Sequence, residues 1–197
     1  VERSRGLGDV YKRQDYKVLP YSWAAATPLS NFEANMDYRD VEDPSIFFQL
    51  EARNDFNDIK KGDFFLVWTT TPWCIPANLA IAVGRDINYS RVKIDSQYYW
   101  IATERLHELD NYNYSVQGSC DGANMIGGEY IPAYSEFEKE NIGKAFKLIH
   151  SDDTNTGSGS GLVSQAPSYG ESDFYCLKNA GITVIVDPVT LAGKFDQ

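Results

Sequence analysis

Short apolar runs, separated by polar, glycine or proline breakers, recur along the chain from Asp15 onward, and most of them predict strands. Residues 45–52 (SIFFQLEA) and 63–71 (DFFLVWTTT) are rich in aromatic and β-branched side chains. Lys60-Lys61-Gly62 reads as the turn before the second run. Residues 79–83, 89–94 and 98–102 follow at short intervals, with Gly84-Arg85-Asp86 and Asp95-Ser96-Gln97 as turns. Thr103 is placed to cap a short helix through Leu109, with Glu104 in its first turn. Residues 127–134, 145–150 and 161–166 are further short extended candidates.

A second helix is expected to open at Glu171 or Ser172, with Phe174, Leu177 and Ala180 on one face and Gly181 just past its end. A strand over 182–186 then leads to Asp187-Pro188. Residues 154–161 (TNTGSGSG) are the low-complexity stretch and read as a flexible loop. Many short strands with few helices predict a mainly β, α+β domain: a closed β-barrel-like core with peripheral helices. No internal repeat is seen.

Composition narrows the function classes. At 197 residues, with 43% hydrophobic and 14% aromatic residues, the chain has the make-up of one packed domain. No apolar run approaches the ~20 residues that span a bilayer, and no signal-peptide pattern is present, so a soluble, cytoplasmic protein without a membrane partner is expected. Cys74, Cys120 and Cys176 are odd in number and unpatterned in spacing, which predicts free thiols and no metal site. The formal charge of −10 argues against holding nucleic acid through a basic field of its own. Any RNA contact must be local, or supplied by a partner domain. Residues 1–14, with Arg3, Arg5, Lys12 and Arg13, lack apolar patterning and are expected to be a non-native leader.

Two segments carry chemistry. Trp68 to Asn78 (WTTTPWCIPAN) places three threonines at a strand end, where Pro72 and Pro76 stop ladder pairing because each lacks an N–H. Side chains alternate along a strand, so at least one hydroxyl faces any pocket there, and a hydroxyl can donate and accept at once. The ordinary explanation is that threonine favours strands. The second segment is 159–173 (GSGLVSQAPSYGESD), a small-residue loop, a short strand, Ala-Pro, a glycine turn and an acidic helix start. Asp173 there is an ordinary helix-start carboxylate, or a carboxylate fixed to receive a substrate cation.

Together the two resemble the signature pair of the editing domain inserted into isoleucyl-tRNA synthetases: a TTTPWTLPAN-like peptide, and a GTGIVHxAPxxGxxD-like peptide that ends in an essential aspartate. Residues 21–33 (YSWAAATPLSNFE) resemble the entry strands of that insertion and residues 38–50 (YRDVEDPSIFFQL) the piece that follows, in the right order and spacing. The resemblance covers residues 15–197, with the C-terminal part of the domain expected to be missing.

The resemblance implies hydrolysis of the ester that joins wrongly attached valine to tRNA(Ile), with Asp173, Thr70 and Thr71 in the catalytic role. Asp173 would hold the α-ammonium group. It assigns Thr69, Trp73, Asn78, Ser164, Gln165, Ala166 and Pro167 to substrate binding, and brings threonines and aspartate to one cavity sized for a small aliphatic side chain. Editing would need no cofactor; ATP and magnesium belong to the parent synthetase, whose catalytic body is the partner in cis. A monomer is expected. One methylene gives too little discrimination between isoleucine and valine, a problem for which this enzyme is the standard illustration, so a second sieve hydrolyses what is small enough to enter.

The chain departs from the family pattern at two places, with Ser164 where histidine is common and Cys74 where a threonine stands. Ser164 is no base near neutral pH, so imidazole catalysis is not expected, and amino-acid choice is open to relaxation. No ATP-binding HIGH-like or KMSKS-like motif is found, so no synthetic activity is expected. A non-catalytic binding module and a free-standing trans-editing hydrolase stand as the alternatives.

Overall fold

A computed structural model describes residues 17–36, 39–40, 42, 44–134, 136–141 and 143–195. The expected leader, 1–14, lies outside them, as does Tyr38 of the second flanking piece. A two-stranded hairpin, β1 (Tyr21–Ser22) and β2 (Thr27–Pro28), comes first. Helix α1 (Asn31–Asn35) follows, opened by a reciprocal cap: Ser30 Oγ accepts from Glu33 N at 3.2 Å, and Ser30 N donates to Glu33 Oε2 at 2.8 Å.

The main sheet is built around β4 (Phe64–Thr69). One edge of β4 pairs antiparallel with β3 (Ile46–Glu51) over its whole length. The opposite edge is divided. Its first half pairs in parallel with β7 (Gln97–Ala102), at Phe64 and Phe65, and its second half in parallel with β10 (Leu162–Gln165), where Trp68 meets Val163. From β7 an antiparallel meander runs outward through β6 (Asn88–Ile94) to β8 (Tyr114–Asp121). From β10 the sheet continues through β5 (Ala80–Val83) to β9 (Lys147–His150).

The β10 branch curls until it meets β3 again, as the barrel-like expectation requires. Glu129 bridges to Lys147 of β9, and its neighbour Tyr130 bridges to Ala52 just beyond β3. Backbone bonds seal the seam: Leu148 N to Gly128 O at 2.8 Å, Arg53 N to Glu129 O at 2.9 Å, and Ile131 N to Glu51 O at 2.8 Å. The ring encloses Phe65, Val67, Ile81, Tyr130, Leu148 and Leu162, all fully buried. Along β4 the alternation is visible directly: Phe65, Val67 and Thr69 are buried, and Phe64, Leu66 and Trp68 are partly exposed.

The buried carboxylate of Asp63, at the start of β4, is fully satisfied. Arg91 grips both its oxygens at 2.6 and 2.8 Å, and Trp100 Nε1 and Lys60 N donate at 3.0 and 3.1 Å. This ties β4 to β6, β7 and the Lys60-Lys61-Gly62 turn in one network.

Several local expectations are corrected. The strand expected over 63–71 stops at Thr69, and residues 72–77 turn instead into a 3-10 segment, Pro72–Ala77. Thr103 does not cap the Thr103–Leu109 segment, which is 3-10; its hydroxyl bonds Asn88 Oδ1 and Ser90 Oγ, both at 2.8 Å. Residues 127–134 make only isolated bridges, at Glu129 and Tyr130. Residues 182–186 are not a strand. Ile182 and Val186 are buried and the residues between are not, but Val186 O accepts from Ser168 Oγ instead of a neighbouring strand. Strand β8 was not expected. Its side chains are nearly all exposed and one extra residue, Gln117, bulges opposite Arg91 and Val92, so no hydrophobic period marks it. Two short helices, α2 (Gly122–Met125) and α3 (Glu138–Asn141), precede β9.

The loop over 154–161 is anchored. Arg105 Nε donates to Gly159 O at 2.8 Å, Ser160 is fully buried, and Gly159 adopts φ +67° flat against the Trp68 indole. A Cβ on Gly159 would sit 2.6 Å from Trp68 Cδ2, whereas one on Gly62, at φ +84°, would meet nothing within 4 Å. Gly159→Ala is therefore expected to cost about 2–4 kcal/mol, from backbone strain plus overpacking. Gly62→Ala should cost only the backbone part, about 1–2 kcal/mol. Urea unfolding of the two variants checks this, and equal losses would show that the indole yields freely.

Candidate functional site

Because β4 and β10 run in the same direction, their C-terminal ends leave the sheet side by side. The threonine turn follows β4, and the Ala-Pro peptide follows β10. They pack on one another: Cys74 and Ala77 of the turn form a small buried cluster with Ala166, and Tyr169 packs against it. Trp73 stacks edge-on against Tyr169 with ring centroids 4.9 Å apart. Tyr169 is held in turn, since its hydroxyl donates to Asp187 Oδ1 at 2.8 Å and accepts from Val189 N at 3.2 Å.

Within the turn the three threonines differ. Thr69 is buried and its hydroxyl accepts from Thr71 N at 3.1 Å. Thr71 Oγ1 lies 3.3 Å from Thr69 Oγ1 and 3.0 Å from Cys74 Sγ, while the thiol donates to Thr71 O at 2.9 Å. Thr70 and Thr71 are exposed, and Trp73 is half-exposed at 48%. Of the hydroxyls and aromatic surface expected to meet a substrate, those of Thr70, Thr71 and Trp73 reach solvent.

The second peptide is more deeply set. Ser164, Gln165, Ala166 and Pro167 are all buried. Ser164 Oγ accepts from Asn78 Nδ2 at 2.9 Å, and the other Asn78 amide hydrogen goes to Ala80 O at 2.9 Å. Gln165 O accepts from Leu79 N at 3.0 Å. Its side-chain Oε1 is a buried acceptor with no hydrogen-bond partner, the one such atom among the described residues. Both Asn78 donors are thus used inside the protein, which binds the end of the threonine turn to β10.

Asp173 stands in the first turn of α4 (Glu171–Asn179), half-buried, with Oδ2 accepting from Ala166 N at 2.8 Å. Burial pushes its carboxyl above the usual carboxylate range; the bonds from Ala166 N and Ser172 pull the other way and do not cancel it. The glycine before the helix has a steric role. Gly170 has ordinary extended dihedrals, φ −129° and ψ 127°, but a Cβ there would lie 2.9 Å from Asp173 Cγ and 3.0 Å from Oδ2. The bare Cα leaves the carboxylate the space it occupies over Ala166. Pattern reading of the GxxD spacing did not disclose this, because the contact depends on the first-turn rotamer.

Thr69, Asn78, Ser164, Ala166 and Asp173 therefore share one rim of the barrel. The clefts of about 1060, 470 and 300 Å³ include neither the threonines nor Asp173. The largest lies on the other side of α4, lined by Lys147, His150, Ser172 and Cys176 among others. Neither histidine is tied to the rim. His150 lines that cleft and bonds Asp152, and His107 is in the Thr103–Leu109 segment beside Glu108. No group of three His, Cys, Asp or Glu among the described residues is arranged to hold a metal ion. No described helix is long and apolar enough to cross a membrane.

The fold is that of leucyl-tRNA synthetase editing domains. A CP1 domain described as GlLeuRS-CP1 superposes with a TM-score of 0.60, 14% identity, covering 71% of this chain and 63% of that one. The editing domain of the Plasmodium knowlesi cytosolic leucyl-tRNA synthetase gives 0.56 at 10% identity, covering 68% and 62%. At such identities the likeness is one of fold. Sequence is more specific. The chain is 38% identical to the isoleucine--tRNA ligase of Protochlamydia amoebophila over 183 residues, and 37% identical to that of Mycobacterium leprae over 190. These matches take in 91% and 93% of the chain but span only 17% and 18% of the relatives. No family model matches. The chain is homologous to the isoleucine--tRNA ligases over that segment, with the fold of a synthetase editing domain.

The sign of the Asp173 shift predicts a pH effect. A carboxyl with a raised folded pKa contributes most to stability below its unfolded value, and that contribution is lost as pH rises through the folded value. Relative to Asp173→Asn, which keeps an acceptor for Ala166 N, wild type should lose stability from about pH 4 upward. Urea midpoints of both proteins across that range measure it; parallel pH profiles would exclude the effect.

Proposed function

We propose that this chain edits aminoacyl-tRNA by hydrolysis, and that its substrate is valine esterified to the terminal ribose of tRNA(Ile). The observation that carries this is the pairing, on one rim, of a half-buried carboxylate that has no ion pair among the described residues with the exposed residues Thr70 and Thr71. Desolvation makes the ionised Asp173 costly in the free domain, and an α-ammonium group supplies the missing charge.

In the reaction, water adds to the ester carbonyl carbon and the bond to the ribose oxygen breaks. The water's proton ends on that oxygen, and free valine leaves. The threonine hydroxyls orient the carbonyl and the neighbouring ribose hydroxyl, and most of the rate comes from position. Trp73, stacked on Tyr169, offers a face to the terminal base. The buried residues Ser164, Gln165, Ala166 and Pro167 act through the backbone and by holding the rim together. The chemistry draws on side chains and water alone; ATP and magnesium serve the synthetic body of the parent enzyme, which is the partner in cis and supplies the phosphate-binding surface that a chain of charge −10 lacks.

Incubation with valyl-tRNA(Ile) tests this directly. Release of free valine should exceed the buffer rate, and Asp173→Ala should lower kcat/KM about 10- to 100-fold, the worth of a hydrogen bond to a charged group. Tight binding without release would favour the non-catalytic module. A second expectation concerns the Gly170 contact: Gly170→Ala, with unstrained dihedrals, should leave folding intact and lower kcat/KM several-fold by displacing the carboxylate. Because the ionised form binds the ammonium, the acid limb of the kcat/KM profile should lie above the ordinary carboxylate range, and a limb at or below about 4 would contradict it.

A further inference from the structure

Tyr130 lies far from both motifs in the sequence, yet its hydroxyl donates to Asn78 Oδ1 at 2.5 Å. It is fully buried, and its backbone is part of the seam that closes the barrel. Tyr130 N donates to Phe146 O at 3.0 Å, its carbonyl accepts from Arg53 Nη2 at 3.3 Å, and it bridges Ala52. Its ring packs edge-on against Phe146 with centroids 6.0 Å apart. Tyr130 is thus held by its backbone in the seam and by its ring against Phe146.

Asn78 is the residue on which the threonine turn ends. Its backbone N donates to Ile75 O at 3.0 Å, and Cys74 N at the other end of the turn donates to Thr71 O at 3.0 Å. With Tyr130 on its oxygen, and Ala80 O and Ser164 Oγ on its nitrogen, the Asn78 amide has a partner on each side. Only one amide orientation satisfies all three. Without the tyrosine hydroxyl the oxygen becomes a buried acceptor with no donor, and the amide is held only through its nitrogen, by Ala80 O and Ser164 Oγ.

We infer that Tyr130 is a positioning residue for the editing rim: through Asn78 it locks the threonine turn onto β10 and sets where Thr70 and Thr71 stand. This rests on the proposed function for its effect on rate, but not for its effect on geometry. That hydroxyl joins the seam of the barrel to the rim by a side-chain bond, beside the backbone bond from Phe146 N to Leu79 O at 2.7 Å.

Two readouts test it on the whole chain. Tyr130→Phe should lower kcat for valyl-tRNA(Ile) about 5- to 10-fold with KM nearly unchanged. Combining it with Asn78→Ala should cost no more than Asn78→Ala alone. The second readout needs no activity. Cys74 is buried in the turn and Cys120 is buried in β8, so N-ethylmaleimide labelling, read for each cysteine by peptide mass, reports turn and barrel separately. Tyr130→Phe should raise Cys74 labelling about fivefold or more while Cys120 stays at the wild-type rate. A parallel rise at both cysteines, or none at Cys74, would overturn the inference. Should Tyr130→Phe fail to fold, Ser164→Ala removes the opposite bond to Asn78 and must give the same selective rise. Absence of valine release from wild type would refute the proposed function and leave the labelling result to decide this one.

Discussion

Trp68 and Val163 lie in register on strands that run the same way, and each is followed within a few residues by one of the two motifs. Parallel neighbours cannot be joined by a tight turn; the chain must leave and return. Here the crossover is most of the domain, from the threonine turn through β5 to β9 and the anchored loop at 154–161. The site is therefore a product of the complete fold. No fragment containing one motif carries the rim, and a topology with such distant partners places its assembly late in folding.

That dependence explains why the packing around the pairing is so exacting. Gly159 lies bare against the Trp68 indole, and Gly161, at φ +74°, has its Cα where a Cβ would meet Ala102 Cβ at 2.5 Å. The loop that precedes β10 must come this close for Val163 to reach Trp68. The barrel seam on the far side applies the complementary constraint, since Tyr130 and Glu129 hold β9 and β3 together and so fix the curl that carries β5 and β10 toward β4. At the rim the same economy gives way to a cost: Asp173 is partly desolvated with a single backbone donor on one oxygen and a raised pKa. A stability-optimised helix start would leave this carboxylate in water.

What was legible in the sequence follows the same physics. β3, β4, β5, β6, β7, β9 and β10 were all readable within about two residues, because each is a short run of apolar, aromatic or β-branched residues between polar or glycine breakers. β8 was not, since an edge strand pairs through its backbone and its side chains mostly face water. Residues 182–186 erred the other way: the burial alternates, but Ser168 Oγ takes the carbonyl that a neighbouring strand would have used. Thr103 has the right residue type for a cap and a better partner in Asn88. At the rim, the threonines, Asn78 and Asp173 were expected from motif. Gly170 and Tyr130 were not, one because its importance is an absent Cβ, the other because an aromatic in a glycine-rich stretch carries no spacing that points to Asn78.

The two departures from the family pattern also make structural sense together. Cys74, in place of threonine, keeps a donor on Thr71 O and lies 3.0 Å from Thr71 Oγ1, so the turn retains its internal bonds with a softer atom. Ser164, in place of histidine, accepts from Asn78 and is buried beneath the rim. Serine at this position is a short acceptor for the Asn78 amide, whose oxygen accepts in turn from Tyr130. The Asn78 amide is then held from two sides, by Ser164 of β10 on its nitrogen and by Tyr130 of the barrel seam on its oxygen.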